Sequence, residues 1–286
     1  MQFRLEKVIF LELSEYSMEP TPTYINPPIV EFVLGAQFAP LVALSSAHFG
    51  RFWNRLGSDW IKPRDNPLIE DQFETFDESA VSRKWRLRVE PAPLVNRLTL
   101  LNRKGDRLLQ LQPSRFHMNW RKTDELKPSY KDLIDEFEIE FRKFISFCEE
   151  EGAGTVEVNQ WELTYVDFFP RGEYWETPED WNRFLPGLFP DHPPAIAAPL
   201  RMERRDVQWT MEIQPKLGRL HLSAGIGNWK DDSCEGLSLN ITARGPLVPE
   251  HTPTLRAGLD LGHDVAVRQF LDMVAEETKA SWGVKK

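Results

Sequence analysis

The sequence predicts an α+β protein made of two related strand-helix-meander-helix units, with antiparallel sheet or sheets and long helices packed on one face. Short runs alternate apolar and polar residues with period two, as half-buried strands do. One long segment, SYKDLIDEFEIEFRKFISFCEEEG, instead puts Leu133, Phe137, Phe141, Phe144, Ile145 and Cys148 on a single helical stripe ended by Gly152. The order of elements then recurs in the second half, which divides the chain into an N-terminal extension (1–23), a first unit (24–152) and a second (153–286), the two units standing as separate domains or as one joint domain.

Each element has its own signal. IVEFVLGAQFAP reads as a strand approached through Pro27-Pro28, whose rings favour extended backbone. SSAHFGRFWNRLG reads as a helix capped by Ser45 or Ser46 and stopped by Gly57. Ser58 to Ser82, rich in Pro, Asp and Glu, reads as a loop with little regular structure. KWRLRVE is a strand, and NRLTLLNRKGDRLLQLQ a hairpin turning at Lys104-Gly105-Asp106. In LLQLQPSRFHMNWRK the apolar phase switches from odd positions (Leu109, Leu111) to even ones (Phe116, Met118, Trp120). A regular strand cannot do this, so a bulge or tight turn is expected at Pro113-Ser114, with Gln110, Gln112, His117, Asn119 and Arg121 on the polar face. In the second half, TVEVNQWELTYVDFFP is a strand, TPEDWNRFLPGLF a short capped helix, and VQWTMEIQPKLGRLHLSAGIGNWK a hairpin. Strand GLSLNITARGP and one final helix, Thr254 to Trp282, complete it.

Composition narrows the function classes. The 286 residues are 41% hydrophobic and 12% aromatic, enough to bury a core. The apolar runs are too short and too often broken by charge to span a bilayer, so a cytoplasmic protein without a membrane partner is expected. Cys148 and Cys234 are far apart, which signals neither a disulfide framework nor a thiolate metal site. The net charge is -9, yet Arg83 to Lys122 holds eleven Lys or Arg against Glu90 and Asp106. Such asymmetry points to an anionic partner.

Together, PPIVE at Pro27 to Glu31, the LLQLQPSRFHMNWRK stretch, Tyr130 opening a Phe-rich helix and the late segment GHDVAVRQFLDMVAEETKASWG resemble a sporadically distributed bacterial family of uncharacterised proteins. The resemblance runs from about Tyr24 to Trp282. It carries no established activity; the family's patchy distribution implies an accessory role in defence or toxin-associated systems.

Catalytic signatures are missing. The six histidines have no zinc-ligand spacing, and there is no Gly-x-Ser-x-Gly elbow or phosphate loop, so neither cofactor nor metal is expected. Asp231 to Glu235 lacks the pattern of a calcium loop. The binding signal lies in Arg86, Arg88, Gln110, Gln112, Arg115, Asn119 and Arg121, a polar sheet face able to grip anions through guanidinium forks. Trp85 and Trp120 alternate onto the other face, whereas sheets that read nucleic acid expose their aromatics. The same basic strands could instead pair with the acidic helix, which carries eight carboxylates from Asp132 to Glu151. The leading expectation is a non-enzymatic binding or interaction protein with a protein partner or a second copy of itself. Its rivals are a nucleic-acid binder using residues 83–122 and an enzyme with Glu31 or Glu162 beside arginine where the two units meet.

Overall fold

The computed structural model describes residues 22–76, 96–123, 127–189, 202–229 and 234–284. The described strands are β1 (Ile29–Phe38), β2 (Trp60–Asn66), β3 (Arg97–Asn102), β4 (Arg107–Gln112), β5 (Arg115–Arg121), β6 (Val158–Pro170), β7 (Val207–Ile213), β8 (Gly218–Trp229) and β9 (Cys234–Pro246). The α-helices are α1 (Ser46–Leu56), α2 (Tyr130–Glu150), α3 (Trp181–Phe184), α4 (Leu255–Met273) and α5 (Glu276–Ser281). All nine strands join one antiparallel sheet in the order β2-β3-β4-β5-β1-β6-β9-β8-β7.

This corrects the expected fold class. In place of long helices layered on one face, one large antiparallel sheet dominates and the helices are short, the single sheet being one of the arrangements that two related halves allowed. β1 and β6 pair along almost their whole length, from Ile29 opposite Asp167 to Phe38 opposite Val158, so the strands extend a single sheet. Among the described residues strand exceeds helix, 39% against 28%, and the helices are separate braces, one only 4 residues long. Two element readings change with it. β2 forms inside the segment expected to be loop, and its Lys62, Pro63 and Arg64 suit a solvent-facing edge. The expected final helix is two, because Val274 is extended (φ -91°, ψ 136°) and the break docks on the α3 region, Ala275 N–H donating to the Phe184 carbonyl.

One sheet face is apolar. Phe32, Leu34 and Phe38 of β1, Phe116 and Met118 of β5, and Trp161 and Leu163 of β6 are buried there. Ser129 caps α2, and its Phe137, Phe141 and Phe144 surround Phe116, with ring centres 5.3 to 5.9 Å away. α4 lies against Trp161 through Gly258 and Gly262, where an added Cβ would come within 2.1 and 2.7 Å of the indole. Charged helix faces pair with one another: Arg51 with Glu151, Arg55 with Glu150, and Arg256 with Asp135. Among the described residues no helix is long and apolar enough to cross a membrane.

Candidate functional site: the strapped polar face

The phase switch at Pro113-Ser114 is a tight hairpin turn, with Gln112 paired to Arg115 and Gln110 to His117. The pairing puts Gln110, Gln112, Arg115, His117, Asn119 and Arg121 on the face away from the core, as the alternation requires. That face is nevertheless not wet. Gln112, Arg115, His117 and Asn119 are all buried, and another part of the chain lies across Gln112 and Arg115.

The cover is an extended strap, residues 69–76, which follows β2 and crosses the strands. Its backbone is held by side-chain amides. Gln112 accepts from the Ile69 N–H (3.0 Å) and donates to the Ile69 carbonyl (2.9 Å). Gln160 on β6 accepts from the Glu74 N–H (3.0 Å) and donates to the Gln72 carbonyl (2.7 Å). Arg115 donates to the Glu70 carbonyl and Arg219 to that of Thr75, each at 2.8 Å. Gln37 on β1 pairs with Arg115 on one side and Gln160 on the other, and among the described residues both its buried amide atoms have no partner.

The strap's acidic side chains meet cations. Ser114 Oγ donates to Asp71 at 2.7 Å, with Arg115 Nε 3.6 Å from the same carboxylate. The Glu74 side chain is wholly buried, ion-paired with Arg219, bonded at 2.6 Å by Arg244 Nε and 2.7 Å from His221 Nε2. Burial alone would raise its carboxyl; hydrogen bonds from His221, Arg244 and Arg219 outweigh that and hold it far below the usual carboxylate range. Arg219 also lies over the Phe76 ring, 4.4 Å from its centre.

Beneath the strap, Glu162 on β6 stands 3.7 Å from each of Arg115 Nη1, His117 Nε2 and Arg244 Nη1. Burial, outweighing nearby Glu162, pushes His117 down to about 4, so the ring is neutral at pH 7. Gly35 lies opposite both residues, and a Cβ there would sit 2.5 Å from the imidazole. Glycine is what lets the ring fit.

The sequence-predicted residues divide accordingly. Gln112 and Arg115 grip the strap. Gln110 donates to Asn119, which donates to Glu31 at 2.6 Å, so these belong to a supporting network. Arg121 is a half-buried cross-strand neighbour of Glu31. Arg86 and Arg88, like the KWRLRVE strand, lie outside the described residues. Arg107 faces the helices and pairs with Glu136 of α2 at 2.9 Å. Asn119 and Asn228 sit on β5 and β8, with β1, β6 and β9 between them, so they share no cleft.

Sequence reasoning missed Glu74, Gln160, Arg219, His221 and Arg244. Polar residues at alternate positions of β8 and β9 were a usable signal for the last three. The strap has no strand or helix period to place it. Among the described residues no group of three or more His, Cys, Asp or Glu converges as metal ligands. In comparisons with known proteins the chain matches no family model, and no curated protein matches it either.

Proposed function

We propose that the chain is a non-enzymatic binding protein whose polar sheet face recognises an extended acidic segment of a partner protein. The observation that carries this is the strap itself. Glutamine amides hold its backbone, which any peptide possesses, and guanidinium groups hold its carboxylates, which only an acidic peptide supplies. A segment of this chemistry arriving from another chain would meet the same donors, with Gln37 offering one further amide in the row.

Two rival readings find less support. Three described arginines of the basic strands are engaged within the chain: Arg97 with Gln110, Arg107 with Asp106 and Glu136, and Arg115 with the strap. Those three are thereby taken up and do not present themselves to a phosphate backbone. Glu162 does stand beside two arginines, the pattern expected of an enzymatic site, but its side chain is only 13% exposed and lies under the strap. Binding fits this geometry better than turnover.

The test uses a chain whose strap is loosened by Asp71→Asn and Gln72→Ala, and a fluorescently labelled peptide of residues 67–76 added in trans. The loosened chain binds the peptide by anisotropy more tightly than the unaltered chain, whose own strap competes. A peptide with Gln in place of the Glu74 carboxylate binds at least about tenfold weaker, and Arg244→Ser abolishes the difference. Equal affinity for the two peptides, or no binding by a loosened chain that still unfolds cooperatively, sinks the reading. Tighter binding of a single-stranded oligonucleotide would return the face to nucleic acid.

A further inference from the structure

On the opposite face of the sheet, between the start of α2, α4 and β6, lies a cavity of ≈ 210 Å³. An apolar cavity of about 150 Å³ holds benzene, so this one has room for a ring and one or two further heavy atoms. Its walls are mainly aromatic and aliphatic. Tyr130 stacks on His263 with ring centres 3.8 Å apart and 4° between planes, Tyr165 packs at the base, and Phe270, Ile29 and Ile241 close the sides. The tyrosine hydroxyls are already used: Tyr130 donates to Asp260 at 2.8 Å, and Tyr165 bonds His263 Nδ1 at 2.6 Å.

One polar wall group remains to be explained. Asp167, projecting from β6 two residues beyond Tyr165, is 4% exposed, and among the described residues its carboxyl has no hydrogen-bond partner. Burial raises it to about 7, partly offset by Lys127. The Lys127 ammonium lies 5.4 Å from the centre of the Tyr165 ring, so the chain already places a cation against this wall.

We infer that this cavity binds a small organic ammonium, its charge neutralised by Asp167 and its carbon body held among Tyr130, Tyr165, His263 and Phe270. A buried carboxylate among ring faces is the environment that compensates a desolvated ammonium. A carboxylate ligand fits worse. It could reach Lys127, but it would crowd the Asp167 carboxyl and face the negative surfaces of the rings. The ligand and Lys127 compete for one wall, so removing the lysine charge strengthens binding. The inference stands apart from the acidic-peptide reading, which uses the other face.

The experiment is calorimetric titration of the full chain with benzylammonium, benzyl alcohol and benzoate, probes matched in shape and differing in charge. Benzylammonium binds about tenfold or more tighter than benzyl alcohol. Asp167→Asn removes that preference, and Lys127→Met increases it. Val267→Phe, which fills the cavity without altering charge, blocks all three and covers the case in which the Asp167 variant folds poorly. Benzoate as the tightest probe, a preference for benzylammonium that survives Asp167→Asn, or no binding by any probe overturns the inference.

Discussion

Replacing Glu74 with Gln keeps the shape of the side chain and removes its charge, leaving Arg219 and Arg244 facing a neutral amide. Breaking a buried ion pair from one side typically costs about 3 kcal/mol, and a loss of that size is expected in urea unfolding at pH 7. The acid limb provides a second check. Because the folded carboxyl is held below its ordinary value of 4.5, its stabilisation is complete above pH 4.5 and is lost progressively as pH falls further. Glu74→Gln therefore unfolds with a flatter pH dependence below 4.5 than the unaltered chain. If the two acid limbs run parallel, Glu74 is not the charged clasp described here. The face on which Gln112 and Arg115 lie was legible because strict alternation fixes a strand residue's face. Glu74 was not, since nothing periodic in LIEDQFETF says where that segment lies.

At the scale of elements, α4 reverses the usual expectation for glycine. Gly258 and Gly262 lie within a 19-residue helix, where Ala would ordinarily be favoured by up to about 1 kcal/mol each. Here the Gly258 site is 2.1 Å from the Trp161 ring, measured from where a Cβ would stand. Trp161 is fully buried and its indole N–H donates to the Pro246 carbonyl at 3.1 Å, so the ring has little freedom to retreat. Gly258→Ala is expected to destabilise by about 1–3 kcal/mol despite its better helix propensity, measured as a shift of the urea midpoint. A gain in stability would mean that the helix and indole are not in close contact. The sequence displayed both glycines and the strand alternation of Trp161, but nothing local indicated that they meet. The same gap explains the strands. β4, β5 and their turn followed from a phase switch within fifteen residues. The β1–β6 pairing that merges the halves joins residues more than a hundred positions apart, and hydrophobic pattern alone leaves such partners open.

For the whole molecule, the continuous ladder through β1 and β6 makes both faces titrate against one folding equilibrium. His117 under the strap and His263 beside the cavity are each pushed down to about 4 from 6.5, in both cases chiefly by burial. Their folded values are depressed, so the stability they confer in the neutral form is present above 6.5 and is lost as pH falls through 4. Asp167 works in the other direction. Its folded value is raised from 3.8 to about 7, so stability from its protonated form is present below 3.8 and is lost as pH rises through 7. Between pH 4 and 6.5 the unfolded chain takes up two protons at the histidines, whereas the folded chain retains one at Asp167. For these three groups the difference is about one proton, so together they make stability rise with pH by about 1.4 kcal/mol per unit. Removing the aspartate's proton leaves the histidines unopposed, so Asp167→Asn steepens that slope to about 2.7 kcal/mol per unit while stabilising the protein above pH 7. Urea unfolding at a series of pH values across this window measures both slopes. Identical slopes would mean that Asp167 holds no proton in the folded chain. Separate transitions for the two histidine environments would mean that the sheet does not unfold as one body.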